Sequence, residues 1–329
     1  MAKRTVVVTG AGGFIGGHLV SRLLHSRSVQ VRAVDIKPFS QWQQIFDTAE
    51  NLQLDCSRLK DCEIATKDTV HVYNLAADIG GMGFIANNKA RCMLSVLINT
   101  HMLKAALHNG VERYFYPSSA CVYAAARQQD TKVTALREED AYPAMPEDGY
   151  GWEKLFSERM CRHFREDFGL VSFVARFHNV YGPNGTWDGG REKVPAAICR
   201  RVIQAKLSGN HTIEIWGDGQ QTRSFMYIDD CLHGIDLLFN SDVEEPLNVG
   251  SQELVSINQL VDIVEGIAGL RLSRTYNLNA PQGVRGRNSD NTRIKKYFCW
   301  EPCIPLAVGL EKTYAWIYDQ VVFGRQSKD

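Results

Sequence analysis

Thr5-Val6-Val7-Val8-Thr9-Gly10-Ala11-Gly12-Gly13-Phe14-Ile15-Gly16 is the stretch on which the fold turns. Thr5 to Val8 has the composition of a buried strand, and Phe14 to Leu24 carries apolar residues at helical spacing. Between them Gly10, Gly13 and Gly16 recur at every third position. In a strand–turn–helix unit the first glycine allows the tight turn and the second lets a pyrophosphate approach the backbone. The third lets helix and strand pack closely. The helix N-terminus, opened by Phe14 and Ile15, adds N–H donors and the positive end of a dipole. A dinucleotide-binding turn is therefore expected. Asp35 ends the next strand, Val29 to Val34. A carboxylate there accepts from ribose hydroxyls and repels a 2′-phosphate, which favours NAD over NADP. Asp55, after a further short strand, is the expected contact to the adenine amino group, with local capping as the competing reading.

Working outward, Val70 to Leu75, Arg113 to Pro117 and Val171 to Phe177 read as further strands. Cys92 to Leu107 reads as one long helix closed by Asn109-Gly110, and Tyr150 to Phe168 as another closed at Gly169. Strands alternating with helices imply an α/β fold, a Rossmann-type doubly wound parallel sheet covered on both faces. After Asn179 the texture changes. Tyr181 to Glu192 is rich in Gly, Pro, Asn and Asp and reads as an ordered loop. Helices are expected at Pro195 to Ala205, Ile228 to Phe239, Ile257 to Ile267 and from Pro305, with a strand at Thr212 to Trp216. The expected plan is an NAD-binding domain over 1–179 with returning segments near 223–250. A smaller C-terminal substrate-binding lobe comes from 180–222 and 251–329. The ligand belongs at the carboxyl ends of the strands.

Lys+Arg and Asp+Glu both number 37 in 329 residues, so no net charge draws the chain to nucleic acid or an anionic membrane. No apolar run approaches the roughly 20 residues of a membrane span. The first strand starts too early for a signal peptide, and a cytoplasmic enzyme is expected. The nine cysteines form no CxxC pair, so no structural metal is expected.

The chemistry is carried by Ser118-Ser119-Ala120-Cys121 and Tyr150-Gly151-Trp152-Glu153-Lys154. Tyr150 and Lys154 are four apart and share a helix face. An ammonium beside a phenol stabilises the phenolate and lowers its pKa from about 10. The same lysine reaches the nicotinamide ribose, and Ser119 holds the oxygen being oxidised. A YxxxK pattern alone is more often plain helix surface. The glycine turn and the serine turn upstream make it a hydride-transfer site.

These residues, with Asn74-Leu75-Ala76-Ala77, Asn99 and Arg176-Phe177-His178-Asn179-Val180-Tyr181-Gly182-Pro183, resemble the extended short-chain dehydrogenase/reductase family over nearly the whole chain. That family acts on nucleotide sugars. The resemblance implies NAD contacts at Leu75, Ala76, Ala77 and Asn99, beside those at Gly10 to Gly16, Asp35, Asp55, Tyr150 and Lys154. Four further stretches are more specific: Ala76 to Ile85, Gly185 to Lys193, Gln221-Thr222-Arg223-Ser224-Phe225 and Gly283 to Asn291. They resemble the branch of the family that takes GDP-mannose. That likeness implies Cys121 and Lys193 as an acid/base pair and Tyr150 as the base of the oxidation step. It implies substrate contacts from Gly80, Gly81, Ser119, Ala120, Asn179, Glu192, Val194, Arg201, Gln221, Thr222, Arg223 and Arg287. It also implies a homodimer packed through the helices that begin near Cys92 and Tyr150. Arg201 departs from the family pattern, which carries lysine there, and Ala124-Ala125-Ala126 lacks an expected proline.

Oxidising C4′ of a hexose acidifies the C–H bonds at C3′ and C5′, and inverting either centre needs a base on one face and an acid on the other. Cys121 shares the Ser119 loop, and a nearby ammonium such as that of Lys193 lowers a thiol's pKa. A buried small residue is the ordinary reading of a cysteine. A 4,6-dehydratase would need an Asp-Glu pair where Ala120-Cys121 stands. A UDP- or GDP-hexose 4-epimerase is the alternative within the family. A non-catalytic NAD-binding regulator is the alternative outside enzymes, with intact Ser119, Tyr150 and Lys154 against it.

Overall fold

The computed structural model describes residues 4–26 and 28–324. Its centre is strand β1 (Arg4–Thr9), flanked by β2 (Val29–Asp35) and then β3 (Glu50–Gln53) on one side. On the other side lie β4 (His71–Asn74), β5 (Arg113–Ser119), β6 (Val171–Phe177) and a last strand, Leu247–Val249. All six pairings in this seven-stranded sheet are parallel. The alternation of β1 explains why both faces are covered. Val6 and Val8 enter one core with Leu19, Val20 and Phe239, while Val7 enters another with Met102, Leu103 and Tyr114.

The helices of the first half are α1 (Phe14–Ser26), α2 (Leu59–Thr66), α3 (Met82–Asn87), α4 (Lys89–Met93), α5 (Ser95–His108) and α6 (Asp148–Phe168). The single helix expected over Cys92 to Leu107 is in fact two, α4 and α5, broken at Leu94. The ψ of Leu94 is −15°, flatter than helical, and Ser95 turns its hydroxyl to accept from the Asp78 N–H at 3.1 Å. Neither residue interrupts the apolar spacing, so periodicity passes over the break.

Beyond Asn179 come β7 (Val180–Tyr181), α7 (Val194–Ser208), β8 (Thr212–Trp216), β9 (Thr222–Ser224), β10 (Met226–Tyr227) and α8 (Ile228–Phe239). The strand Leu247–Val249 is then β11, followed by β12 (Leu254–Ser256), α9 (Ile257–Ala268), β13 (Ser273–Asn277), β14 (Gly286–Arg287), α10 (Thr292–Phe298) and α11 (Leu306–Val322). Three small sheets result: β7 with β10, β8 with β13, and β9 between β12 and β14.

The chain leaves β1 for one side of the sheet and reaches the other side only at β4, so a crevice opens at the carboxyl ends of these neighbours. Thr9 closes its floor, donating to Asn74 Oδ1 at 2.8 Å and accepting from the Ala76 N–H at 3.2 Å. The glycine turn is tight. Gly10 has φ +67°, and a Cβ at Gly16 would stand 2.1 Å from the Gly10 carbonyl oxygen. Gly16→Ala is therefore expected to cost about 1–3 kcal/mol through overpacking and to lower the melting temperature. An unchanged melting curve would show that the turn yields without penalty. Among the described residues no helix is long and apolar enough to cross a membrane, and no cluster of metal-ligating side chains occurs.

Candidate active site

Ser119 ends β5, and its hydroxyl accepts from the Cys121 N–H at 3.2 Å, opening a short 3-10 turn over Ala120–Val122. That turn faces the start of α6. Glu147 N–H donates to the Cys121 carbonyl at 3.1 Å, and a Cβ at Gly151 would meet the same oxygen at 2.3 Å. Glycine after Tyr150 is thus what lets α6 seat on the Cys121 turn. Cys121 and Tyr150 pack together there beside Ser119, whose side chain acts on the Tyr150 phenol.

Lys154 lies one turn along α6, buried, but its ammonium does not rest on the Tyr150 hydroxyl. It donates to Tyr116 Oη at 3.1 Å and sits 5.7 Å from the Tyr150 ring centroid. Tyr116 in turn donates to Glu153 Oε1 at 3.0 Å, and Glu153 Oε2 stands 3.8 Å from the Lys154 ammonium. The expected lowering of the Tyr150 pKa is accordingly not found. Burial pushes it well above the ordinary tyrosine value, with the nearby Cys121 and Glu153 adding to the rise. Desolvation of the phenolate outweighs a cation that Tyr116 and Glu153 already hold.

Cys121 corrects a second expectation. Its nearest cation is not Lys193 but Arg287 on β14, whose Nη1 donates to Sγ at 3.4 Å. Even so the thiol's pKa is raised, because burial outweighs Arg287 and Glu147 places a negative charge beside it. Arg287 is held from three sides, through Nε to Gln128 Oε1 at 2.6 Å and through Nη2 to Glu147 Oε2 at 2.5 Å. Burial alone would raise the Glu147 carboxyl, but Arg287 brings it below the usual carboxylate range.

Lys193 is the residue just before α7. Its loop is tied to Asp78–Phe84, since Gly81 N–H donates to the Arg191 carbonyl at 3.0 Å and Arg191 donates to Asp78 Oδ1 at 2.7 Å. The Arg191 guanidinium also lies 3.9 Å from the Phe84 ring centroid. Lys193 keeps solvent-accessible surface, yet its ammonium is crowded by protein. Desolvation lowers its pKa, and Cys121 is close enough to act against that fall.

Arg223 and Arg287 converge. Arg223 is buried with carbonyl partners, Thr222, Gln282 and Val284, and burial beside Arg287 pulls its pKa down to about 10. Two guanidiniums close together suit an anion. Arg285 lies apart on Asp218 at 3.0 Å. Arg201 donates to the Glu214 carbonyl at 2.7 Å over Trp216. Gln221 binds the Trp216 carbonyl through Nε2 and leaves a buried Oε1 without a partner. Thr222 donates to the Thr131 carbonyl, Asn179 to the Ser224 carbonyl, and Glu192 accepts from Arg200 and Gly190. Val194 begins α7 and is exposed.

In the crevice, Asp35 Oδ2 accepts from Gly12 N–H at 3.0 Å and Oδ1 from Lys37 N–H at 3.0 Å. The carboxylate is buried at the end of β2 beside the glycine turn. Leu75 and Ala76 press on Gly10, which leaves that wall of the turn as bare backbone. Asn99 is buried behind it, accepting from Asn74 and Tyr114. Asp55 caps its own loop, accepting from Ser57 N–H and Oγ–H at 2.9 and 2.6 Å. Phe14 and Ile15 pack against the core at the head of α1. A narrow backbone turn, a helix N-terminus and a carboxylate at the ribose position fit NAD.

Gln128, Glu147, Tyr116 and Glu153 are the site residues that sequence reasoning missed. Glu147 had one available signal, its place immediately before the helix that carries Tyr150.

Comparison with known proteins agrees with this geometry. Residues 6–250 match the NAD dependent epimerase/dehydratase family. A GDP-mannose 3,5-epimerase 1 of Oryza sativa subsp. indica is 45% identical over 320 residues, covering 97% of this chain and 83% of the relative. A GDP-mannose 3,5-epimerase of Arabidopsis thaliana is 44% identical, covering 96% and 82%. In fold the chain is similar to a UDP-glucose 4-epimerase of Thermotoga maritima, with a TM-score of 0.85, 24% identity and coverage of 96% and 99%. With the family match spanning most of the chain and relatives at this identity along nearly all of it, the chain belongs to the NAD dependent epimerase/dehydratase family.

Proposed function

We propose that the protein is a GDP-mannose 3,5-epimerase that converts GDP-mannose to GDP-L-galactose with NAD held in the β1–β4 crevice. The observation that carries the reading is the Cys121 thiol packed with Tyr150 on the Ser119 turn, within electrostatic reach of the Lys193 ammonium. A 4-epimerase has no use for that second pair. Bound NAD supplies the oxidant for C4′ and returns the same reducing equivalents. Residues 1–179 and the segment near 223–250 form the NAD-binding part, and the rest holds the sugar nucleotide.

Tyr150 takes the C4′ hydroxyl proton while Ser119 holds the oxygen, and Lys154 swings from Tyr116 to the phenolate and the ribose. Cys121 and Lys193 then move protons at C3′ and C5′ from opposite faces. Arg223 and Arg287 take the diphosphate, whose charge compensates theirs. Gly80, Gly81, Ala120, Asn179, Glu192, Val194, Arg201, Gln221 and Thr222 line the remaining sugar-nucleotide path. Met93, Leu94 and Leu97 near α4 and α5, with Trp152 and Phe156 on α6, are exposed apolar side chains. They support a homodimer packed through these helices.

Turnover of GDP-mannose in D₂O is the test. Deuterium is expected at C3′ and C5′ but not at C4′, with no lasting rise in the absorbance of reduced NAD, and GDP should inhibit more tightly than UDP. Turnover without deuterium at either carbon would end the reading. Tighter inhibition by UDP would favour a 4-epimerase, and no turnover of any sugar nucleotide would favour a regulator.

A further inference from the structure

Lys193 has to stand at a fixed place relative to Cys121, yet its backbone belongs to a loop. Downstream that loop is held by α7, where Ala197 N–H donates to the Lys193 carbonyl at 3.0 Å and Arg200 donates to Glu192 at 2.8 Å. Upstream lie Gly189 and Gly190, in left-handed backbone at φ +89° and +83° with open space around them. Arg191 stands between these two stretches, and it ties the loop to the Asp78–Phe84 segment.

Asp78 is the centre of that tie. Its Oδ1 accepts from Arg191 Nη1 at 2.7 Å, and its Oδ2 accepts from Arg91 Nε of α4. Both guanidiniums also lie over the Phe84 ring, Arg191 at 3.9 Å and Arg91 at 5.8 Å from its centroid. Arg191 Nη1 reaches the Ile79 carbonyl at 3.3 Å as well. Asp78 is itself fixed, its N–H donating to Ser95 Oγ at 3.1 Å. The two backbones touch directly, since Gly81 N–H donates to the Arg191 carbonyl at 3.0 Å and a Cβ at Gly81 would stand 2.3 Å from the Glu192 carbonyl oxygen. Phe84 in turn packs on the cluster of Cys92, Cys121 and Tyr150. A continuous set of contacts therefore runs from Cys121 through Phe84 and Arg191 to the residue pair Glu192-Lys193.

We propose that Asp78 is a positioning residue which, acting through Arg191, holds Lys193 in its place relative to Cys121. The inference rests on the epimerase reading for what those two groups do. An exposed ion pair contributes little by itself. Here one carboxylate is shared by two cations, and without it two guanidiniums crowd one ring with no counter-charge between them. Like charges at that range repel, and the loop can give way at its glycines. Oxidation at C4′ uses Ser119, Tyr150 and Lys154, which are held on β5 and α6 rather than on the released loop.

The experiment has two arms on the NAD-bound full chain. Without sugar nucleotide, amide hydrogen exchange is followed by mass spectrometry over residues 190–193 and at Gly81. In Asp78→Asn these amides should exchange about fivefold faster, an ion pair's share of local stability. With GDP-mannose in D₂O, deuterium entry at C3′ and C5′ should slow by about 10–10²-fold, the effect of misplacing a reacting group by about an ångström. The transient reduced NAD should keep its wild-type rate. Asp78→Glu restores the charge and should recover most of the loss. Arg191→Met should show the same split and serves if Asp78→Asn fails to fold, and the double variant should be no worse than either single one. Unchanged exchange over 190–193 overturns the proposal whatever the reaction. An equal fall in C4′ oxidation and deuterium entry also overturns it, because a general loosening of the site would act on both. The wild type decides the epimerase reading by itself. A wild type without deuterium ends that reading, whereas a variant that matches a deuterium-incorporating wild type ends this proposal.

Discussion

Lys193→Ala and Cys121→Ala are each expected to reduce epimerisation by about 10²–10⁴-fold, the span of a general acid or base, while oxidation at C4′ survives. The two variants should still give a transient absorbance of reduced NAD on mixing with GDP-mannose, because neither substitution removes the Ser119 or Tyr150 hydroxyl or the Lys154 ammonium. Deuterium from D₂O should then be absent from C3′ and C5′ of recovered sugar. Lys193 lies just before α7 and keeps exposed surface, so its loss should leave the melting temperature near wild type. Cys121 is buried on the α6 contact and its alanine should cost some stability as well. Full epimerisation by either variant removes that residue from the acid/base pair.

Tyr150→Phe should fall by at least about 10²-fold in turnover and lose the transient reduced NAD altogether. The ring is buried against Cys92, Cys121 and Phe84, so phenylalanine keeps the packing and the variant should fold and bind NAD. Burial holds the Tyr150 pKa well above ordinary, and Cys121 and Glu153 raise it further. The hydroxyl therefore stays protonated through neutral pH until Lys154 leaves Tyr116. On the proposed mechanism, Tyr150 is expected to act as a base only once that ammonium moves. Wild-type turnover in Tyr150→Phe would exclude the role outright.

The central sheet and the helices beside it were readable because local chemistry dictates them. Gly13 and Gly16 need glycine because of the Gly10 carbonyl a few residues back, and Tyr150 and Lys154 share a face by helical geometry alone. The Arg287–Cys121 contact joins residues 166 positions apart, and only the fold brings β14 over the Ser119 turn. Glu147 was missed for a similar reason. In Pro146-Glu147-Asp148-Gly149 an acidic residue at a helix start looks like a response to the helix dipole. Its partner lies 140 residues further on. Nor does spacing separate Arg287, buried at the sulfur, from Arg285, paired with Asp218 two positions earlier. The misplaced lysine has a different origin. Tyr116 and Glu153 each read as core or helix residues, and their claim on the Lys154 ammonium appears only when β5 and α6 are side by side.

The seventh strand of the sheet has a consequence for how the chain is made. β11 pairs with β6, yet Val249 follows Phe177 by about 70 residues, and all of β7 to α8 lies between them. At a synthesis rate of roughly 5–20 residues per second, the outer edge of β6 leaves the ribosome several seconds before its partner exists. Its Val174 and Phe177 positions are apolar, and an open edge of that composition invites pairing with another chain. A nascent chain halted near residue 240 should therefore bind chaperones or aggregate, whereas one halted shortly after β11 should not. Slowing translation across 180–246 ought to lower the soluble yield more than slowing it anywhere after Val249.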